Sequence, residues 1–176
     1  MDDKDLIEGC LRNDRRCQKE LYDRFSPALF AVCRRYSGSE SDAEDMLAEG
    51  FVNIFASLHT VRDRKRLFFW MKSVVVKTAI DYYRRNRKHY DNLPIDENLI
   101  VPQEVDETKI YSRLDAAALT RIISGMPDEW RTIFNLRIFE DLGFKEIAEE
   151  LGKNENTVRV YFLRGKNWLV EQLKDE

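Results

Sequence analysis

The feature that most constrains this chain is a pair of short apolar patterns in its last third. Apolar residues recur at the spacing of one helix face in two runs, Ile147 with Leu151 and then Val158 with Phe162. Gly152 stands between the runs, where a sharp chain reversal requires a residue that tolerates positive φ. The pattern therefore predicts two amphipathic helices joined by a tight turn.

The second of these helices carries basic residues on its outer face. Arg159, Arg164 and Lys166 are predicted to project away from the apolar side. This arrangement is typical of a helix-turn-helix, whose second helix enters the major groove of duplex DNA. The alternative is a surface αα-hairpin with a solvated basic face. The agreement of glycine, apolar spacing and charge favours the helix-turn-helix.

Composition favours helices in the rest of the chain as well. The 176 residues include only 7 glycines and 4 prolines, which are few for an all-β protein. Aromatic residues make up 11% of the sequence, enough for the cores of two small domains. We therefore expect an all-α protein made of two small helical domains.

An abrupt change in composition near residue 90 indicates where the domains separate. Residues 91–107 carry six acids and no base. Such a stretch buries too little apolar surface to form a core, so an acidic linker is predicted over 91–109. The predicted domains are then 1–90 and 110–176.

Several functional classes are excluded by what the sequence lacks. Three cysteines and two histidines show no metal-binding or disulfide spacing, so we predict no metal, no cofactor and buried reduced thiols. Without a glycine-rich phosphate loop or a catalytic constellation, no catalytic residue and no enzymatic activity are predicted. No apolar run approaches the roughly 18 residues of a membrane span, and no signal-peptide pattern is visible. The expectation is a cytoplasmic protein without membrane insertion.

A basic segment rich in aromatic residues precedes the linker. Residues 62–88 contain ten Lys or Arg against two Asp, and a long helix is predicted over 67–88. A basic face attracts the phosphate backbone, and aromatic rings can hold unpaired bases. The alternative is a solvated amphipathic helix, and for Phe69, Trp70 and Tyr82 a core position is favoured.

Two stretches, one at each end of this segment, are expected to contact DNA. The basic run at residues 84–88 has no acidic neighbour to neutralise it. The mostly polar residues 59–66 are predicted to form a loop that contacts a base.

The charge of residues 40–49 is opposite, with five acids and no base. Ser41 and Glu44 have the spacing of a capping box at the start of a helix. The acids can therefore complement the helix dipole, or they can form an acidic face for a basic protein partner. Residue chemistry alone leaves both interpretations open.

The order of these features resembles that of a bacterial sigma-70 family sigma factor of the small extracytoplasmic-function type. The features are, in sequence, an acidic helix, an aromatic-basic helix, an acidic linker and a helix-turn-helix. The resemblance covers about residues 15–172 and implies a region 2 helical bundle followed by a region 4 helix-turn-helix. The matching motifs are Asp42-Ala-Glu-Asp45, Phe69-Trp70, Met126-Pro127, Lys145-Glu-Ile-Ala148 and Thr157-Val158. Lys77 departs from the family, which frequently has asparagine at this position.

The resemblance also implies binding residues. Region 2.2 binds the clamp helices of core RNA polymerase, and the corresponding residues are Asp42, Glu44, Asp45, Glu49 and Phe51. Regions 2.3 and 2.4 melt and recognise the −10 element, and the corresponding residues are Lys77, Asp81, Arg84, Arg85 and Lys88. Region 4 recognises the −35 element and touches the polymerase flap, with DNA contacts expected from Thr157, Arg159, Val160, Leu163, Arg164 and Lys166.

The function implied by the resemblance is that of an alternative sigma factor, which binds core RNA polymerase and directs it to specific promoters. Promoter DNA and an anti-sigma protein are then the further expected partners. The alternative is a stand-alone helix-turn-helix regulator that binds duplex DNA unaided. An adaptor that binds polymerase without recognising a promoter is a third interpretation.

Overall fold

The computed structural model describes residues 1–86 and 115–174. Within these ranges the chain forms eight α-helices and no strands, which confirms the all-α prediction. The acidic linker lies outside the described residues, so the domain boundaries remain predictions. Two compact units are present, Met1–Arg34 with Ser39–Asp81 and Arg35–Gly38 with Tyr82–Glu176.

Four helices precede the linker, with two short 3-10 turns between the third and the fourth. The helices are α1 (Asp3–Leu11), α2 (Arg15–Tyr36), α3 (Glu40–Ser57) and α4 (Leu67–Asn86), and the turns are Leu58–Thr60 and Arg64–Arg66. Apolar residues at helical spacing point inward. The core of this part includes the fully buried Leu6, Leu21, Leu29, Met46, Ile54, Leu67 and Met71. Burial of one apolar stripe on each helix is the main contribution to the stability of such a bundle.

Local sequence sets the ends of these helices. The cap of α3 lies two residues before the predicted one, because Ser39 is extended, with φ −140°, and its Oγ accepts the Asp42 N–H at 3.1 Å. The predicted capping box of Ser41 and Glu44 is therefore wrong, since both residues already lie within the helix. α2 continues through Pro27 without a break.

The three cysteines behave as small apolar residues. All of them are buried and free, as predicted. Burial raises the pKa of the Cys10 thiol to about 11 and that of the Cys33 thiol to about 12. These two thiols therefore stay protonated near neutral pH, and their reactivity is low.

Four helices follow the linker. They are α5 (Ala116–Ser124), α6 (Asp128–Ile138), α7 (Phe144–Leu151) and α8 (Glu155–Lys174). Ile147, Leu151, Val158 and Phe162 are buried between them, as the sequence pattern predicted. α7 and α8 are the two helices of the helix-turn-helix, and α8 extends ten residues beyond Arg164, where the sequence motif ended.

The turn between α7 and α8 depends on Gly152, which has φ 62° and ψ 39°. This left-handed conformation is the one that glycine adopts without the steric cost of a Cβ. It brings the Lys153 N–H to the Ala148 carbonyl at 2.9 Å, which satisfies the end of α7. Asn154 then accepts the Asn156 N–H at 2.8 Å and starts α8.

No helix within residues 1–86 and 115–174 is both long and apolar enough to span a membrane.

Candidate nucleic-acid interface

The predicted loop at residues 59–66, here called the base-recognition loop, forms one side of a cavity of about 310 Å³. The first turns of α4 form the other side. We call this space the first cavity. It is lined by Thr60, Val61, Arg62, Asp63, Arg66, Phe69 and Trp70. The lining therefore combines two aromatic rings with two guanidinium groups, as in sites that hold a stacked base near phosphate.

The exposure of Phe69 overturns its predicted core position. Its side chain is 61% exposed, and the Arg66 guanidinium lies 5.5 Å from its ring centre. The reason is helical geometry, because the buried Leu67 and Met71 set the inner face and Phe69 lies about 200° around the helix from Leu67. Trp70 and Tyr82 are only partly buried.

A second cavity, of about 470 Å³, lies between α3 and α4. It is lined by Asn53, Ala56, Ser57, Thr60, Trp70, Val74, Lys77, Thr78 and Asp81. Trp70 and Thr60 line both cavities. Asn53 donates to the Thr78 hydroxyl at 3.0 Å, and that hydroxyl donates to the Val74 carbonyl at 2.9 Å, so this side of the cavity is polar and ordered.

The predicted −10 residues lie along one helix. Lys77 is exposed and lines the second cavity together with Asp81. Arg84 and Arg85 are exposed near the end of α4, and the Arg85 guanidinium lies 5.9 Å from the Tyr82 ring centre. Arg84 Nη2 lies 3.6 Å from a carboxylate oxygen of Glu150, so the prediction that this basic run has no acidic neighbour is wrong for Arg84. Lys88 lies outside the described residues.

α3 exposes a mixed acidic and apolar face. Glu44 and Asp45 are exposed, whereas Asp42 and Glu49 are only partly so. Asp42 also accepts the Ser39 hydroxyl at 2.7 Å, at the start of the helix. The apolar member of the exposed face is Val52, which is 67% exposed.

Phe51 lies on the inner side of the same helix and is 4% exposed. Its ring packs 4.6 Å from the ring of Tyr22 and 6.1 Å from that of Phe55, measured between centroids. A direct contact between Phe51 and polymerase thus stays a prediction, while its packing role is evident. The exposed Val52 was missed, although its spacing from Asp45 places both on one helix face.

The predicted −35 residues lie on α8. Arg159 is exposed, and its Nη2 donates to Glu155 at 2.7 Å. Arg164 lies over the Trp130 and Tyr161 rings, at 5.9 and 6.0 Å from their centres. The side chains of Thr157, Val160 and Leu163 are partly exposed. Lys166 is only 4% exposed, so the prediction that it projects outward is wrong.

A residue that sequence reasoning missed holds Arg159 from the preceding helix. The Phe144 ring centre lies 4.7 Å from the Arg159 guanidinium and 4.9 Å from that of Arg137. The same ring packs edge-on against Phe162, at 5.4 Å between centroids. The sequence signal was a lone aromatic residue at the start of α7, which periodicity alone assigns to the core.

Comparison with known proteins identifies the two helical parts. The sequence matches Sigma-70 region 2 over residues 21–89 and Sigma-70, region 4 over residues 116–169. It is 31% identical over 148 residues to RNA polymerase sigma factor SigV of Bacillus subtilis (strain 168), which covers 84% of this chain and 86% of that protein. The chain belongs to the sigma-70 family of RNA polymerase sigma factors.

This sigma factor is of the extracytoplasmic-function (ECF) type. It is 22% identical over 181 residues to ECF RNA polymerase sigma factor SigW of the same organism, covering 98% of this chain and 97% of SigW. The crystallised sigma factor RpoE in complex with the anti-sigma factor NepR from Bartonella quintana is 21% identical, with a TM-score of 0.49, and covers 89% of this chain and 96% of that one. The matches to both sigma-70 regions and to SigV make the chain an alternative sigma factor that directs RNA polymerase to promoters.

Proposed function

We propose that this sigma factor recognises its −10 element as single-stranded DNA, with one unpaired base in the first cavity. The observation that carries the proposal is the cavity between the base-recognition loop and Trp70. Its volume lies in the range of small-molecule sites. Trp70 and Phe69 offer rings for stacking, which contributes about 1–3 kcal/mol per base. Arg62 and Arg66 supply positive charge for the flanking phosphates.

The second cavity is proposed to hold the neighbouring nucleotide. Lys77 attracts its phosphate, and Asp81 accepts a hydrogen bond from an exocyclic amino group of a base. Arg84 and Arg85, with Lys88 beyond the described residues, hold the backbone that follows. Because Lys77 replaces the frequent asparagine of the family, the preferred base here differs from the family pattern.

The −35 element is proposed to be read as a duplex by α8. Arg159 reaches a guanine edge, a contact that the arginine fork makes with two hydrogen bonds. Arg164 serves the phosphates, while Thr157, Val160 and Leu163 face the groove. Lys166 is buried and takes no part in this contact. Phosphate contacts fix the register, and base-edge contacts give the sequence preference.

Core RNA polymerase is proposed to bind the exposed face of α3 through its clamp helices. Glu44, Asp45 and Val52 supply the contact surface, with Asp42 and Glu49 at its edge. Phe51 acts from inside, by holding α3 in place. The C-terminal helices contact the polymerase flap, and an anti-sigma protein covers these surfaces when the factor is inactive.

We further propose that the protein acts in the cytoplasm and performs no covalent chemistry itself. Binding energy drives promoter melting, and the polymerase catalyses RNA synthesis. Run-off transcription from a fragmented genomic library, with and without this protein, tests the role as a whole. Discrete new start sites that require core polymerase are the expected result. Tight binding to duplex fragments without such starts would favour a stand-alone regulator.

Arg66→Ala tests the first cavity, with Lys65→Ala as a matched control. Both residues are exposed neighbours of equal charge, but only Arg66 lines the cavity. Arg66→Ala is expected to reduce base preference at one −10 position. Lys65→Ala should change only the salt dependence of binding. Equal effects of both substitutions at every position would contradict the assignment of the cavity.

A further inference from the structure

Arg64 differs from its neighbours in the base-recognition loop. Arg62, Asp63 and Arg66 line the first cavity, whereas Arg64 is not part of that lining. Its Nη1 instead donates to the Glu8 carboxylate on α1 at 2.8 Å. The loop therefore has one arginine directed to another helix and two arginines at the cavity.

α1 is a fixed point for that contact. Its Leu6 and Ile7 are buried, and the helix packs against the two 3-10 turns at the ends of the loop. Gly9 permits a close approach to α2, because a Cβ at this position would overlap the Cys17 sulfur. Packing contacts on two sides of α1 thus fix the position of Glu8 beside Arg64.

This ion pair is expected to affect the position of the loop more than the folding free energy of the protein. Both partners are partly exposed, and exposed ion pairs contribute little to folding free energy. Residues 61–63 have no regular structure between the two turns, so few backbone bonds hold them. A site that selects one base depends on how firmly its walls are held.

We propose that Glu8 is a positioning residue for −10 recognition, which acts through Arg64 to hold the base-recognition loop at the first cavity. This inference rests on the proposed role of that cavity. α1 precedes residue 21, where the match to region 2 begins, so a segment outside the matched region contributes to promoter preference.

The test is Glu8→Gln in holoenzyme formed with core polymerase, on a promoter library randomised across the −10 element. Asp5→Asn is the matched control, because it removes the same charge from an exposed position of the same helix. Glu8→Gln is expected to lower base preference about threefold to tenfold at the position that Arg66→Ala affects, and not elsewhere. Asp5→Asn should retain the wild-type preferences.

A charge exchange adds a readout that a purely structural role would not move. Arg64→Glu alone should lose the preference, and combining it with Glu8→Arg should restore part of it. Within the folded protein, the Arg64 hydrogen bond lowers the pKa of Glu8 from its ordinary value, assisted by the charges of Lys4 and Arg12. Arg64→Leu should therefore raise the pKa of Glu8, as measured by NMR titration of its carboxyl carbon.

Wild-type preferences in Glu8→Gln would overturn the inference, and so would an equal loss at every promoter position. If Arg66→Ala also has no selective effect, the proposed role of the first cavity fails with it. If Arg66→Ala acts selectively and Glu8→Gln does not, only the positioning role is lost.

Discussion

The two surfaces that we propose to bind DNA have opposite shapes. Before the linker, the base-recognition loop, α3 and α4 enclose two cavities. After the linker, α8 presents side chains from a convex helix. The difference fits the proposed states of the DNA, because an unpaired base can be enclosed, whereas a base in a duplex stays stacked and must be reached from the groove.

The surfaces also differ in how their arginines are held. Arg64 is anchored to Glu8, which lies 56 positions away in the chain. Arg159 is anchored locally, by Glu155 one turn before it and by Phe144 on the preceding helix. A recognition loop thus depends on tertiary contacts, while a recognition helix carries most of its own geometry. The following predictions test that contrast.

The largest effect is expected from Trp70→Ala. Trp70 lines both cavities, so its removal opens a wall of each. Loss of base stacking should reduce open-complex formation roughly 10- to 100-fold, as permanganate footprinting of unpaired thymines would measure. Trp70→Phe keeps an aromatic ring and should therefore reduce open-complex formation less. Unchanged promoter opening in Trp70→Ala would contradict the roles of both cavities.

Gly152→Ala should disrupt the turn between α7 and α8, which positions the convex surface, and should leave the two cavities unchanged. An alanine in the left-handed conformation at φ 62° costs about 1–2 kcal/mol. Faster hydrogen exchange of the α7 and α8 amides would report the loss. Gly143→Ala is the control, because Gly143 has φ −68°. Equal rates of hydrogen exchange in the Gly152→Ala and Gly143→Ala variants would contradict the role given to the left-handed conformation of Gly152.

Phe144→Leu should weaken −35 discrimination by a smaller factor. Leucine retains apolar packing against Phe162 but removes the ring face beside Arg159. A cation–π contact at a partly exposed site contributes about 0.5–1 kcal/mol, so a roughly two- to fivefold loss is expected. Competitive transcription on −35 point variants measures it. If Phe144 acts through Arg159, adding Phe144→Leu to Arg159→Ala should cause no further loss.

The smallest effect is expected from Glu155→Gln. The Glu155–Arg159 pair is half exposed, and its removal frees the guanidinium and takes a negative charge away from the DNA side. Affinity for −35 duplex should rise about twofold at low salt, and the gain should fall as salt increases. Glu171→Gln, near the far end of the same helix, is the charge-matched control. Weaker binding by Glu155→Gln would mean that the carboxylate orients Arg159 for the base.

Sequence patterns predicted the helices well where burial follows a clear period. Ile147 and Leu151 on α7 and Val158 on α8 are examples, and Gly152 marks the turn between them. Residues 67–71 are all apolar, so no periodicity within them distinguishes the exposed Phe69 from its buried neighbours. The start of α3 was misplaced because two serines compete for the cap and only backbone geometry decides between them.

The candidate site was predicted only in part, for a related reason. Lys77 and Asp81 followed from the resemblance to a family, and the structure then places them together along a cavity wall. The opposite wall is contributed by α3 through Asn53, which no local pattern connects to α4. The Glu8–Arg64 contact likewise joins distant segments. Side-chain cavities and long-range ion pairs depend on packing, which a single sequence does not display.

The sharing of Trp70 and Thr60 by the two cavities has a consequence for how promoters of this factor are described. If each cavity holds one base, as proposed, a nucleotide that shifts the Trp70 indole toward one cavity would enlarge or narrow the other. The base preferences at the two promoter positions would then be statistically coupled, so a poor base at one position would change which base is tolerated at its neighbour. A consensus that scores each position independently would misrank such promoters, whereas dinucleotide frequencies would rank them correctly.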